Sequence, residues 1–226
     1  TAARSPYKPD DFANVEHIFL GHGHFDHAFD VPAILQKTDA DVFAPGLTGH
    51  LLRMRGAPPE RILKTTTNEY LFKPLKVRAF KSDHVHFDKD LVVSTAQRCG
   101  LKHCAEVIGL GVSYPKGLVQ TYLFEEKGKK FLFVSSAGCL PEELKKYRDL
   151  EVDVLLAPLQ GHTQIQKIAA EMTSIIAPKM VIPHHHDDFY PPMSQEISLG
   201  LFKEELKKHG FKGDYLEIPL FSEIQL

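Results

Sequence analysis

The feature that most constrains the fold is a histidine-rich motif directly after an apolar run. The run VEHIFL, residues 15–20, leads into GHGHFDH, which places His22, His24, Asp26 and His27 within six positions. Side chains alternate across an extended backbone, so His22 and His24 leave the strand end on the same side and can bind one ion together. Asp26 and His27 follow in the turn and can hold a second ion. The motif therefore predicts a metal site at the end of a buried strand.

Two further segments offer histidine directly after an apolar run. FKSDHVHFD contains His84 and His86, and VIPHHHDDF contains His184, His185 and His186. Strands that end at a sheet edge would deliver all three groups to one rim. Imidazole and carboxylate ligands together suit zinc, manganese or iron, whereas thiolates would narrow the choice to zinc. We expect one or two divalent ions, with zinc preferred and manganese or iron as alternatives.

The rest of the chain interleaves strand-like and helix-like runs. Strands are predicted at 15–20, 41–44, 75–80, 117–124, 130–136, 152–158, 179–183 and 215–220. Helical spacing of apolar residues is present at 31–38, 141–150, 163–176 and 194–210. This interleaving indicates an α/β protein. The segment 82–115 lacks periodicity, and we expect a long loop there that covers or lines a site.

Composition narrows the class of protein. Apolar residues make up 43% and charged residues 25% of the chain, as in globular proteins that bury a substantial core. The formal net charge of −2, without a long run of one sign, does not indicate a nucleic-acid partner. A small-molecule substrate is the expected partner, and the sequence leaves the oligomeric state open.

Cysteine usage and hydropathy bear on location. The three cysteines, at positions 99, 104 and 139, are too few for a secreted disulfide framework, so a reducing, cytoplasmic environment is the expectation. No segment approaches the roughly 20 consecutive apolar residues that span a bilayer. Residues 1–12 also lack the apolar centre of a signal peptide.

The pattern His22-x-His24-x-Asp26-His27 after a strand resembles the metallo-β-lactamase superfamily of metal-dependent hydrolases. Later segments resemble that family in its own order, over essentially the whole chain: SDH (82–84), FVSSAG (133–138), DVLLAPLQGH (153–162) and IPHHHDDF (182–189). The resemblance implies an αββα sandwich, with two mixed sheets face to face and helices outside. We expect residues 1–226 to form one such domain. The family ordinarily opens with several antiparallel strands and only 14 residues precede Val15, so the expectation is that the domain is N-terminally incomplete, the alternative being that those strands are supplied otherwise.

The resemblance also implies a ligand set. The first ion would be held by His22, His24 and His84, and the second by Asp26, His27 and His185. His84 is preferred over His86 because Ser82 matches a serine two residues before the ligand in similar proteins. His185 is preferred over its neighbours because the family pattern runs Pro, any residue, His, any residue, Asp, and Pro183 and Asp187 fit it. In an extended segment those neighbours would point away from the metal.

One departure from the family pattern affects the second ion. The family usually has Gly-Asp-Thr-Gly where this chain has Ser-Ser-Ala-Gly at 135–138, so Ser136 occupies the place of the bridging aspartate. A subgroup of hydrolase-like members shows a Ser-Ala-Gly turn here. A neutral hydroxyl is a poorer ligand than a carboxylate, so we expect partial, condition-dependent occupancy of the second site. Cys139 is an alternative ligand, but it lies three residues on and is interpreted instead as a small buried apolar residue.

The chemistry implied is hydrolysis of an ester, lactone, amide or phosphodiester by a metal-bound hydroxide. Asp26 would orient the hydroxide and share protons. His162 is a candidate for stabilising an oxyanion, the alternative being an N-terminal helix position. A second hypothesis is a degenerate metal-binding or interaction protein without turnover, motivated by Ser136 and the short N-terminus. A di-iron enzyme that handles oxygen or nitric oxide is disfavoured, because the first motif is not the His-x-Glu-x-Asp variant.

Overall fold

The structure is a computed structural model that describes residues 5–66 and 69–225, and within these ranges ten strands form two sheets. The strands are β1 (His17–Phe19), β2 (Asp41–Ala44), β3 (Ile62–Lys64), β4 (Glu69–Phe72), β5 (Leu75–Ser82), β6 (Val119–Glu126), β7 (Lys129–Val134), β8 (Val154–Pro158), β9 (Met180–His184) and β10 (Asp214–Tyr215). The helices are α1 (Phe25–Ala28), α2 (Val31–Ile34), α3 (Gly46–Met54), α4 (Lys89–Ser113), α5 (Pro141–Arg148), α6 (Ile165–Ile176) and α7 (Leu199–Lys208).

The smaller sheet has the order β1-β2-β3, and its strands are parallel, with Ile18 opposite Val42 and Val42 opposite Ile62. Helices α1 and α2 connect β1 to β2, and α3 connects β2 to β3. Parallel strands need such crossover connections. Leu20, Val31, Val42 and Leu52 belong to one buried cluster, which joins the outer face of this sheet to the helices.

The larger sheet has the order β10-β9-β8-β7-β6-β5-β4. Strands β4 to β7 pair antiparallel, and β7 to β10 pair parallel. Because β6 is antiparallel to both β5 and β7, and β7, β8 and β9 are parallel to one another, the strands β5, β7, β8 and β9 all have the same direction. Their carboxyl ends therefore meet at one edge of the sheet, the edge where β6 begins. The four later segments that resemble the family, at 82–84, 133–138, 153–162 and 182–189, all reach this edge.

Aromatic side chains fill the space between the two sheets. Phe19 of β1 stacks on Phe43 of β2 with ring centroids 4.7 Å apart, and it meets Tyr122 of β6 edge-on at 5.4 Å. Phe43 contacts Tyr70 and Phe72 of β4 at 5.3 and 5.1 Å. Edge-on and offset ring pairs of this kind stabilise a packed core beyond the apolar area that they bury. The sheets thus pack face to face.

The opposite face of the larger sheet is covered by α5, α6 and α7. Leu132, Leu155 and Val181 of this sheet share one buried cluster with Ile165 of α6 and Phe202 of α7. Strands buried on both faces lack a polar side, which explains the near-continuous apolar runs of β7 and β8 in the sequence. Helices, sheet, sheet and helices form four layers, so the predicted αββα arrangement is confirmed.

Several details differ from the sequence predictions. The smaller sheet is parallel in all its described strands rather than mixed. The predicted loop at 82–115 is wrong, because most of it forms α4, which is interrupted by a non-helical backbone at Gly100. The apolar residues Leu101, Ile108 and Val112 of α4 are exposed, so this helix does not show the periodicity that a core-facing helix has.

The short strands β3 and β4 have no counterpart among the predicted elements, and β10 is shorter than the strand predicted at 215–220. Across the ranges that the structure describes, no helix combines the length and apolarity that crossing a bilayer requires. All three cysteines are free, and Cys99 is buried within α4.

The buried hydroxyl of Tyr122 ties the two sheets together near the histidine motif, since it lies 2.9 Å from Leu20 O and 2.9 Å from Gln120 Oε1. We expect Tyr122→Phe to lower the free energy of unfolding by about 1–3 kcal/mol, because a buried acceptor loses its donor. Urea denaturation measures this change. As a control, Tyr7→Phe removes an exposed hydroxyl with only a 3.4 Å contact. An equal loss in both variants would contradict the role of the buried hydrogen bond.

Candidate metal centre

The three histidine segments converge at the shared edge of the strands. His22 follows β1, His84 follows β5 and His185 follows β9. Since β5 and β9 end at the same edge of the larger sheet, the residues after them face one another across the end of β7. The loop after β1 lies over this edge, with the backbone N–H of Gln120 donating to Gly21 O at 2.8 Å.

His22, His24 and His84 form what we call the first cluster. One ring nitrogen from each lies within 4.8 Å of the others. The ring centroids are 4.8 Å apart for His22 and His24, 4.9 Å for His22 and His84, and 4.6 Å for His24 and His84. Three imidazoles at this spacing can converge on one ion.

Asp26, His27 and His185 form the second cluster, whose candidate ligand atoms also lie within 4.8 Å of one another. His185 Nε2 is 3.1 Å from Asp26 Oδ2, and His27 Nε2 is 3.3 Å from the same oxygen. The two clusters adjoin, since the rings of His22 and His27 are 4.1 Å apart. The structure therefore brings together all six side chains that the family pattern suggested as histidine and aspartate ligands.

His185 reaches the second cluster from a left-handed backbone, with φ of 58°. This conformation is uncommon for a residue other than glycine, and such residues concentrate at functional sites. The expectation of an extended segment here is therefore wrong, although His184 does point away. The His184 ring stacks on Phe133 at 5.0 Å, and its Nε2 lies 3.0 Å from Val134 O.

A hydrogen bond fixes the orientation of the His84 ring. Its Nδ1 lies 2.7 Å from Val85 O and donates to that carbonyl, which leaves the lone pair on Nε2. Metal-bound histidines in proteins usually make this kind of second hydrogen bond. His86 is exposed and belongs to neither cluster among the described residues.

The Ser-Ala-Gly turn supports the His84 segment from below. Ser136 Oγ accepts a hydrogen bond of 3.0 Å from the backbone N–H of Val85. A Cβ at Gly138 would lie 2.2 Å from the His84 carbonyl carbon, so only glycine allows this close approach. Cys139 lies in neither cluster within the described ranges, and its Sγ is 3.1 Å from Ser82 Oγ.

Burial keeps the imidazoles neutral. His22 is 1% exposed, and neither of its ring nitrogens has a hydrogen-bond partner within the described residues. Burial lowers the pKa of His22, and the neighbouring His27 lowers it further. Burial likewise lowers the pKa of His24, and it lowers the pKa of His27 and of His84 to about 4. A neutral imidazole offers a lone pair, whereas an imidazolium does not.

Asp26 is the one carboxylate among these six side chains. Burial raises its pKa, but the hydrogen bond from His185 and the nearby His27 outweigh burial and hold the pKa below its ordinary value. The centre thus combines an ionised carboxylate with the neutral imidazoles of His22, His24, His27 and His84. A buried polar nitrogen without a hydrogen-bond partner is costly, and among the described residues both ring nitrogens of His22 lack one. This donor set fits a divalent cation of the zinc, manganese or iron type.

His162, the other candidate catalytic residue, lies in the loop between β8 and α6. Its Nδ1 accepts a hydrogen bond of 2.9 Å from Gln164 N and is 3.8 Å from Asp88 Oδ1. Within the described ranges, no hydrogen bond or ring contact joins His162 to either cluster. Its backbone neighbour Gly161 approaches the Phe87 ring, so the loop borders the site.

Aromatic rings border both clusters. Phe87, which is 56% exposed, stacks on His24 at 6.4 Å and meets His84 edge-on at 5.3 Å. Phe189 contacts His185 at 4.9 Å. Phe87 is not among the site residues predicted from the sequence, although its position three residues after His84 is a signal for it. Tyr114, within the segment 82–115, is buried in the cluster behind the smaller sheet.

Comparison with known proteins agrees with this geometry. A family model described as "Beta-lactamase superfamily domain" matches residues 1–187. The chain is 28% identical over 205 residues to a protein of Pyrococcus furiosus named UPF0173 metal-dependent hydrolase, covering 89% of this chain and 76% of that protein.

Solved structures show the same fold. The metallo hydrolase Igni18 of Ignicoccus hospitalis aligns with a TM-score of 0.66 at 17% identity, covering 96% of this chain and 83% of that one. The metallo-beta-lactamase fold protein YhfI of Bacillus subtilis aligns with a TM-score of 0.62 at 10% identity, covering 94% and 77%.

The close approach at Gly138 is testable. We expect Gly138→Ala to lower the free energy of unfolding by about 1–3 kcal/mol, because the new Cβ must displace the backbone of His84. The same variant should also bind metal less tightly. Urea denaturation and metal titration measure the two effects.

Gly109→Ala in α4 is the matched control, because a Cβ there meets nothing within 4 Å. It should stabilise by about 0.5–1 kcal/mol through helix propensity. Equal stability of the Gly138 variant and the parent chain would contradict the tight packing of the turn.

The buried imidazoles predict a pH dependence for the metal-free protein. His27 and His84 have a pKa of about 4 when folded, against an ordinary value of 6.5. Below about pH 6.5 the unfolded chain binds protons that the folded chain does not, so the free energy of unfolding should fall as the pH falls toward about 4. Urea denaturation of the chelator-treated protein measures this. The double variant His27→Gln, His84→Gln should show a shallower pH slope, and an unchanged slope would contradict the assignment.

Proposed function

We propose that this chain, which belongs to the beta-lactamase superfamily, is a metal-dependent hydrolase that acts on a small molecule. The observation that carries this proposal is that two ligand clusters adjoin at the buried His22, whose ring nitrogens have no hydrogen-bond partner among the described residues. The name of the Pyrococcus relative supports the same reaction class. We propose zinc as the ion, with manganese or iron as alternatives.

In this proposal His22, His24 and His84 hold one ion, and Asp26, His27 and His185 hold the other. A bound divalent ion acts as a Lewis acid, which lowers the pKa of water and polarises the bond that is cleaved. The bond is an ester, lactone, amide or phosphodiester, all of which hydrolyse through attack by water at a carbonyl or phosphoryl centre.

The protein residues have separate tasks. Asp26, ionised and next to both His27 and His185, accepts and returns the proton of the attacking water. His185 Nε2 donates a hydrogen bond to Asp26 Oδ2, which holds the two side chains next to each other in the second cluster. His162 has Nδ1 occupied as an acceptor, so its Nε2–H remains free to donate to an oxyanion.

Ser136 limits the second cluster. Its Oγ holds the Val85 backbone amide, and it supplies no carboxylate between the two clusters. We therefore propose that the ion at Asp26, His27 and His185 binds more weakly than the ion at the first cluster. Graded dialysis against a chelator, followed by elemental analysis, should remove one ion per chain before the other. Two ions lost together would contradict this order.

Replacing a ligand of the first cluster tests the reaction class. We expect the His24→Ala variant to lose at least one ion per chain. Replacing a residue that only hydrogen-bonds a metal ligand lowers activity by about 10–100-fold, and the loss of kcat/KM in His24→Ala should be larger than that. Elemental analysis and hydrolysis of para-nitrophenyl acetate, bis(para-nitrophenyl) phosphate and a γ-lactone measure both effects. His86→Ala, at an exposed position two residues after His84, is the control and should retain metal and turnover. Full metal content in the His24 variant would contradict the ligand assignment.

The second candidate is a metal-binding protein with this fold and no turnover. The engagement of Ser136 with Val85, where the family usually has a bridging aspartate, favours it. A protein that binds metal through His24 but is inert on the ester, phosphodiester and lactone would support this alternative over the hydrolase.

A further inference from the structure

Lys116 lies beside the first cluster because of the register between β5 and β6. Ser82, the last residue of β5, is opposite Val119, the first residue of β6. The chain leaving β5 toward His84 and the chain entering β6 from Lys116 therefore run next to each other at the same sheet edge.

A backbone contact places Lys116 against the other two histidines of this cluster. The N–H of Gly23, between His22 and His24, donates to Lys116 O at 2.8 Å. A Cβ on Gly23 would lie 2.6 Å from Pro115 O, so the two segments are in close contact. The position of Lys116 is thus fixed from both the His84 side and the His22–His24 side.

The ammonium charge of Lys116 acts on two histidines of the first cluster. Its positive charge contributes to lowering the pKa of His24 and of His84, although burial is the larger cause in both. Lys116 is exposed, and it forms no ion pair with any carboxylate of the described ranges. A cation held beside neutral imidazoles has no evident structural task.

We infer that Lys116 binds an anionic group of the substrate, a carboxylate or a phosphate, beside the first cluster. This inference rests on the proposed function and narrows its substrate class to anions. A lysine ammonium is a point charge with three donors, suited to either group. The exposed Phe87 ring over His24 and His84 offers the substrate an apolar contact next to that charge.

Calorimetry on the metal-loaded protein tests the inference apart from turnover. The probes are phenylacetate and phenyl phosphate, and the variants are Lys116→Ala, Lys116→Arg and Lys129→Ala. Lys129 is the matched control, because it carries the same charge at the opposite end of β7. We expect Lys116→Ala to weaken binding of at least one probe by roughly fivefold, the upper range for an exposed ion pair. Lys116→Arg and Lys129→Ala should bind both probes about as tightly as the parent chain does. The probe whose affinity falls more in Lys116→Ala identifies the anion as a carboxylate or a phosphate.

Kinetics give a second measurement, which compares an anionic ester, mono(para-nitrophenyl) succinate, with the neutral ester para-nitrophenyl acetate. The ratio of the KM for the anionic ester to the KM for the neutral ester should rise roughly fivefold in Lys116→Ala and not in Lys129→Ala. Equal binding of both anionic probes by the parent chain and Lys116→Ala would overturn the inference, because the ions alone would then hold the anion. A third outcome separates the two proposals. If the parent chain hydrolyses none of the esters but Lys116→Ala still binds the probes more weakly than the parent chain, the anion site is supported and the proposed hydrolysis is rejected.

Discussion

Five imidazoles and one carboxylate crowd together with neighbouring ring centroids 4.1–5.4 Å apart. Protonation of several rings at this spacing would place like charges side by side in a buried environment, which is unfavourable. Neutral rings avoid that repulsion but leave lone pairs without donors, as at His22. A cation removes both difficulties. The strand directions, the glycine at 138 and the left-handed backbone at His185 all serve to hold this arrangement.

Much of the centre could be predicted from the sequence, because the relevant patterns are local. The spacing of His22 and His24 after an apolar run reflects strand alternation, which any extended segment obeys. His84 and His185 also follow strands that are rich in apolar residues. Since those strands lie within one sheet and point the same way, the histidines after them lie at one edge of that sheet. The layered α/β arrangement could be predicted for the same reason.

Other features depend on contacts between distant segments and could not be predicted. The sequence of helix α4 predicts a loop, because its apolar residues do not recur on one face as they do in a helix that packs against a core. Leu101, Ile108 and Val112 are exposed to solvent. The left-handed backbone of His185 follows from packing around it, not from its residue type. The position of Lys116 depends on the β5–β6 register and on a backbone contact with Gly23. Neither is visible in the residues around position 116.

The common direction of β5, β7, β8 and β9 also divides the larger sheet into two ends with different tolerance for engineering. The hairpin turn at Lys127 and Gly128, between β6 and β7, lies at the end remote from the histidines. A tether, fluorophore or fused partner attached at this turn would be separated from the centre by the full length of β7. The protein offers an orientation in which it can be immobilised on a support with its reactive edge facing solution.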